Sequence, residues 1–166
     1  MPAPNTQLDF LRRISSTARR ALVEVTPVLD TSAYAADDNL CAVQTIPTST
    51  ANGNDTTELS SLTITSGIST AVALVVYVFD RTVTLAAANA AFTLTDADMK
   101  FCQAVISIAT GDWVVGQTGG NTVVMKNNLD IHLKPNAGQN LFFAVKINTI
   151  ATYAVSDLVF KFGFQY

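Results

Sequence analysis

A chain of 166 residues is one domain long and buries roughly two-thirds of its unfolded surface, so it can build a real hydrophobic core. Charged residues make up only 14% of it and the mean hydropathy is +0.30, against about a quarter charged in ordinary soluble domains, which predicts apolar surface that meets another chain. The net charge of −3 gives no ground for nucleic-acid binding, and the absence of a long apolar run or a signal-like N-terminus predicts a soluble, cytoplasmically made protein with no membrane partner.

Residues 1–20 differ from the rest. Pro2 and Pro4 keep the start irregular, and then Leu8, Leu11 and Ile14 fall at helical spacing among Arg12, Arg13, Arg19 and Arg20. Four arginines against Asp9 give this arm +3, leaving −6 for residues 21–166 out of the overall −3. Such a split marks an appended segment. Thr6 as N-cap and Asp9 three residues on predict a short amphipathic helix to residue 20. Alone it would be marginal in water, so it needs a partner.

From residue 21 the hydrophobic period becomes two. Residues 21–29 read as a strand on a sheet edge or broken at Pro27, because proline has no N–H for the ladder. After a turn-rich stretch, residues 40–46 read as the next strand, stopped by Pro47, and Asn52-Gly53 mark a polar loop. The sequon at Asn54 lies in that loop and has no reason to be glycosylated without a secretion signal. Leu59, Leu62 and Ile64 then give a half-exposed strand. It leads to residues 71–80, AVALVVYVFD, whose β-branched run, charge-free from Ala71 to Val78, predicts a strand buried on both faces.

Beyond Asp80-Arg81 an alanine-rich link reaches Thr95 and Asp98, an N-cap and its acidic third residue, so one helical turn is expected over 96–101. Residues 103–109, 122–126 with 129–133, 141–147 and 158–164 complete the strands, with Asn127-Asn128 breaking the second of these as a bulge. About eight evenly spaced strands without helix-strand alternation predict an all-β, antiparallel two-sheet β-sandwich, jelly-roll-like. An immunoglobulin-like order is the alternative. The expected organisation is a basic N-terminal arm over 1–20 and a sandwich domain over 21–166. Apolar residues on both alternations at 72–79 and 141–145 exceed one core's need, which predicts a subunit interface.

Catalytic chemistry is hard to place. His132, the single histidine, shares a strand face with Asp130 and Lys134 and reads as a solvated residue. The pairs Asp37-Asp38 and Asp96-Asp98 suit loop and helix-start positions, not a calcium loop. Gly116 to Gly120 lacks the lysine of a phosphate loop. Trp113 has no second aromatic spaced to form a cage with it, so a packing role is expected. Cys41 and Cys102 lack CxxC spacing or a neighbouring histidine and read as buried free thiols. The expectation is no enzyme, no metal and no cofactor, but a protein that works by being assembled.

Four segments carry a resemblance. Residues 25–34 (VTPVLDTSAY), the strand end Val78-Phe79-Asp80, residues 92–98 (FTLTDAD) and residues 153–158 (YAVSDL) together resemble small auxiliary capsid proteins, the head decoration or cement proteins of tailed bacteriophages. The resemblance implies a β-sandwich on the outer surface of the virion, with the major capsid protein as partner and a homotrimer as oligomer. The capsid-binding residues then expected from the arm are Leu8, Leu11, Arg12, Arg13, Ile14, Arg19 and Arg20. The competing expectation is a tail, head-fibre or baseplate accessory protein that binds a host-surface glycan through its loops at 52–57 and 116–121.

Overall fold

The computed structural model describes residues 20–47, 49–50, 55–116 and 120–165. Among the described residues ten strands form two sheets in which every pairing is antiparallel. They are β1 (Arg20–Val25), β2 (Asp38–Asn39), β3 (Gln44–Ile46), β4 (Thr57–Ser66), β5 (Leu74–Phe79), β6 (Cys102–Ile108), β7 (Val114–Val115), β8 (Thr122–Leu133), β9 (Leu141–Ile147) and β10 (Leu158–Gln165). The first sheet runs β1-β10-β4-β8-β7; the second runs β2-β9-β5-β6, with β3 also on β9. A single helical turn, α1 (Asp96–Met99), lies between β5 and β6. Its cap is the expected one: Thr95 Oγ1 accepts from the Asp98 N–H at 3.1 Å.

The two sheets pack face to face because their strands alternate. Along β10, Leu158, Phe160, Phe162 and Phe164 all point inward and are essentially fully buried. Phe143 from β9 meets Phe160 and Phe162 across the gap, with ring centroids 5.2 and 5.0 Å apart. Leu59, Leu62 and Ile64 of β4 and Leu74, Val76 and Val78 of β5 fill the same cluster.

The run at 71–80 is fully buried on one face only: on the other, Ala71, Ala73, Val75 and Tyr77 are half-buried and Phe79 is buried, with cover that comes from within the chain. Phe79 and Ala144 on the outer side of the second sheet lie in a separate cluster with Val83, Leu85, Phe92, Leu94 and Phe101, all from the 80–101 connection. Tyr77 stacks on Phe92 at 5.0 Å. The surplus expected to need a subunit interface is therefore satisfied by this connection. It is pinned at buried Asn39, whose backbone N–H and C=O bond Ala90 and Asn89 at 2.7 and 2.8 Å and whose side-chain amide donates to the Ala86 carbonyl at 2.8 Å.

Three expectations are corrected in detail. Residues 40–46 are not one strand: only Gln44–Ile46 pair with β9 as β3, while Asp38–Asn39 pair with it separately, and Leu40 gives its carbonyl to the Tyr34 hydroxyl at 2.9 Å. The pieces at 122–133 form one strand, with the bulge at Asn128 and Asp130, both at positive φ (55° and 50°). Arg20 is not the end of a helix but the first residue of β1, paired with Gln165, because the edge of β10 is open to receive it. Pro27 lies just past β1, which is an edge strand as its sequence predicts.

Candidate functional site

The outer faces of the two sheets differ, and the first sheet's is the candidate site. Cross-strand registers align its outward residues in rows: Arg20, Gln165, Glu58 and His132; then Leu22, Gly163, Ser61 and Asn127; then Glu24, Lys161, Thr63 and Met125. Apart from Gly163, these residues are exposed or half-buried. Leu22 and Met125 are 68% and 60% exposed and stand on β1 and β8, on either side of β10 and β4. Glu24 and Lys161, neighbours across β1 and β10, pair at 3.1 Å.

The middle row is a depression of about 830 Å³. Its floor is low because Gly163 has no side chain, and a Cβ there would collide with the Ser61 hydroxyl. Pairing also shifts register between Leu59 and Ser61 and between Gly163 and Phe164. Bulges of this kind re-aim side chains and deepen local twist. Ser60 donates to the Gly163 carbonyl at 3.0 Å and holds the floor together. Arg20, Leu22, Glu58, Asn127, Asp130 and Gln165 stand around the rim, so the N-terminal arm enters the fold at the rim of this depression.

Of the capsid-binding residues expected from sequence, Leu8, Leu11, Arg12, Arg13, Ile14 and Arg19 lie outside the described residues, as does Asn54. Arg20 alone is placed, exposed and on that rim. The glycan loops are described only in part; Thr57 is buried at the start of β4 and Gly116 closes on Asn121 by an N–H to carbonyl bond of 2.8 Å.

The other singled-out residues have structural partners. His132 is exposed, opposite Glu58. Trp113 is buried and its indole N–H donates to the Val72 carbonyl at 2.7 Å. Cys41 sits in the main core and Cys102 under the 80–101 connection, both free. Burial pushes the Cys41 thiol up to about 12, so it stays protonated and unreactive. Asp112 is held below the usual carboxylate range, first by a hydrogen bond from Lys126 and then by the Ala109 N–H. No group of three or more His, Cys, Asp or Glu side chains with metal-holding geometry occurs among the described residues.

The segments that carry the family resemblance are corners. In 25–34 the Tyr34 hydroxyl accepts from the Asp30 N–H at 2.7 Å while Asp30 accepts from the Ser32 N–H at 2.7 Å. Asp80 pairs with Arg81 at 2.8 Å, and Arg81 lies over the Phe101 ring at 4.0 Å. In 153–158 the Asp157 carboxylate accepts from the Ala154 N–H at 2.6 Å. Sequence reasoning missed the depression. The signal was available: Leu59 and Leu62 are three residues apart where a regular strand requires two.

No protein-family model matches the chain, and neither does any curated protein. Among solved structures it is similar to that of Desmodium yellow mottle tymovirus, at 12% identity and a TM-score of 0.29 over 89% of this chain and 80% of the other. A structure of turnip yellow mosaic virus gives 11% identity and a TM-score of 0.31 over 99% and 82%. Superpositions that loose leave even a shared fold unestablished.

Proposed function

We propose that this chain is a virion structural protein, a decoration or cement protein on the outer surface of a tailed-phage head. In this reading it binds the major capsid protein, bridges capsomers as a homotrimer, and carries out no catalysis. The observation that carries it is the asymmetry of the sandwich. One outer face is largely covered by the chain's own 80–101 connection, which leaves Val105 exposed on β6, while the other has no such cover and leaves Leu22, Met125 and Val114 exposed on β1, β8 and β7. The strand order supports a jelly-roll reading: β1, β10, β4 and β8 face β2/β3, β9, β5 and β6, the interleaving of two Greek keys, an architecture used by capsid and lectin domains alike.

A protein that binds only the assembled shell stabilises it by mass action. Heads carrying the protein are expected to rupture at a higher temperature than heads lacking it, and equal rupture temperatures would overturn the cement role. The glycan-binding alternative draws on the hydroxyl and amide groups around the depression. Gel densitometry of virions separates the two: hundreds of copies per particle fit the head, tens or fewer fit a tail or fibre.

A further inference from the structure

We propose that the outer edge of β6 pairs, antiparallel and about a twofold axis, with β6 of a second copy of this chain. The inference goes beyond the capsid reading and does not depend on it, because a twofold contact joins two copies in whatever particle holds them.

An open sheet edge is a row of unmet N–H and C=O groups, which β-proteins guard with charge, proline, bulges or brevity. The other edges here are guarded in those ways. β1 carries Arg20 and Glu24 and stops short of Pro27. β2, β3 and β7 are two or three residues long. The length of β8 beyond its pairing with β7 is bulged, with Asn128 and Asp130 at positive φ. β6 differs: it is seven residues, CQAVISI, without charge or proline, and among the described residues it pairs with β5 alone. Its register shift lies at Gln103 and leaves Ala104 to Ile108 regular.

The ladder fixes which groups face out. The Asn148 N–H bonds the Ala73 carbonyl at 2.8 Å, one step beyond the Leu74 and Ile147 pair. Hydrogen-bonded pairs alternate along antiparallel strands, so Leu74, Val76 and Val78 bond toward Ile108, Ile106 and Ala104. Val105 and Ser107 therefore turn their N–H and C=O groups to the open edge, where Val105 is 52% exposed. The Ala109 N–H points the same way and is met by the Asp112 carboxylate at 2.7 Å.

A second β6 fits this short row because the row is complementary to itself. With the twofold at Ile106, Val105 of each copy lies opposite Ser107 of the other, and those two residues exchange all their outward groups with no like charges opposed. Gln103, whose side-chain amide holds the Lys134 backbone at 2.7 and 2.8 Å, then comes opposite Ala109 of the other copy. That brings Lys134 toward Asp112, a complementary charge, at both ends of the pairing. There is also room on this side of the sandwich. Val115 shares the inward side of its sheet with buried Thr122, yet is 55% exposed, because the second sheet is four strands across and ends at β6.

Hydrogen exchange on the full-length protein, followed amide by amide, tests the pairing. Between micromolar and millimolar concentration the Val105 and Ser107 amides are expected to slow tenfold or more, while Ile106 and Ile108, bonded to β5, exchange slowly throughout. Val105→Lys with Ser107→Lys should abolish that slowing without moving Tm, as should Val105→Glu with Ser107→Glu. Mixing the two variants should restore it, since each charge then faces its opposite. Rapid exchange at 105 and 107 at every concentration overturns the proposal and leaves the edge to a strand from a different protein. Slowing that persists in the lysine variant, or a mixture no slower than either variant alone, overturns it as well.

Discussion

The two outer faces of the sandwich solve the same problem in different ways. On the second sheet, Tyr77, Phe79, Phe142 and Ala144 are apolar on the outward side, and the chain devotes the 80–101 connection to covering them. On the first, the corresponding rows are mostly Ser, Thr, Asn and charged residues around Leu22, Gly163 and Met125, and the described chain offers them no lid. A face hidden inside the monomer is a matter of stability; a face left open is a matter of partners. Substitutions on the two should therefore separate cleanly into those that unfold the protein and those that disperse its assemblies.

Phe79→Ala tests the sealed face most severely. Phe79 is fully buried, and its loss is expected to cost about 4 kcal/mol, a fall in Tm of roughly 10 °C, measured by calorimetry. Asn39→Ala follows, at roughly 1–3 kcal/mol, because it removes the side-chain bond to Ala86 from a buried site. Since this loosens the cover over Cys102, thiol labelling of Cys102 should speed up while Cys41 in the main core stays protected.

Alkaline titration should weaken the fold gradually. Burial raises the folded-state values of Cys41, Cys102, Tyr34 and Tyr153. Their neutral forms are favoured in the native state, so the contribution is intact below the unfolded values, about 8.5 for thiols and 10 for phenols, and is lost as pH rises past them. Denaturant midpoints that hold constant from pH 8 to 11 would contradict this. The smallest effect on stability belongs to the open face: Leu22→Ser with Met125→Ser should shift unfolding by less than about 0.5 kcal/mol per site while reducing oligomer mass in sedimentation.

How far the sequence discloses this architecture depends on what each residue's role requires. Strand alternation and punctuation reveal the sandwich: Pro27 ends the first edge strand, the Thr95 to Asp98 spacing marks α1, and the apolar run at 71–79 announces a strand inside its sheet. What covers that run is not written locally, since Val83, Leu85, Phe92 and Leu94 look like an apolar link until the fold lays them over Tyr77 and Phe79. Arg20 reads as part of the basic arm because charge is visible in sequence, whereas the open edge of β10 that draws it into a strand is a tertiary fact. The depression arises from two register shifts on neighbouring strands; Asn127-Asn128 marks the one on β8, and the spacing of Leu59 and Leu62 hints at the other.

Two methionines report on the two faces directly. Met125 lies on the open face at 60% exposure, and Met99 on α1, in the 80–101 connection, is 42% exposed. Oxidative footprinting of the isolated chain and of the assembled particle, read by mass spectrometry at both sites, compares them in one experiment. The account predicts that Met125 becomes protected on assembly by tenfold or more while Met99 oxidises at a similar rate in both states. Equal oxidation of Met125 in the free and assembled protein would contradict the claim that the open face is where this chain meets its partners.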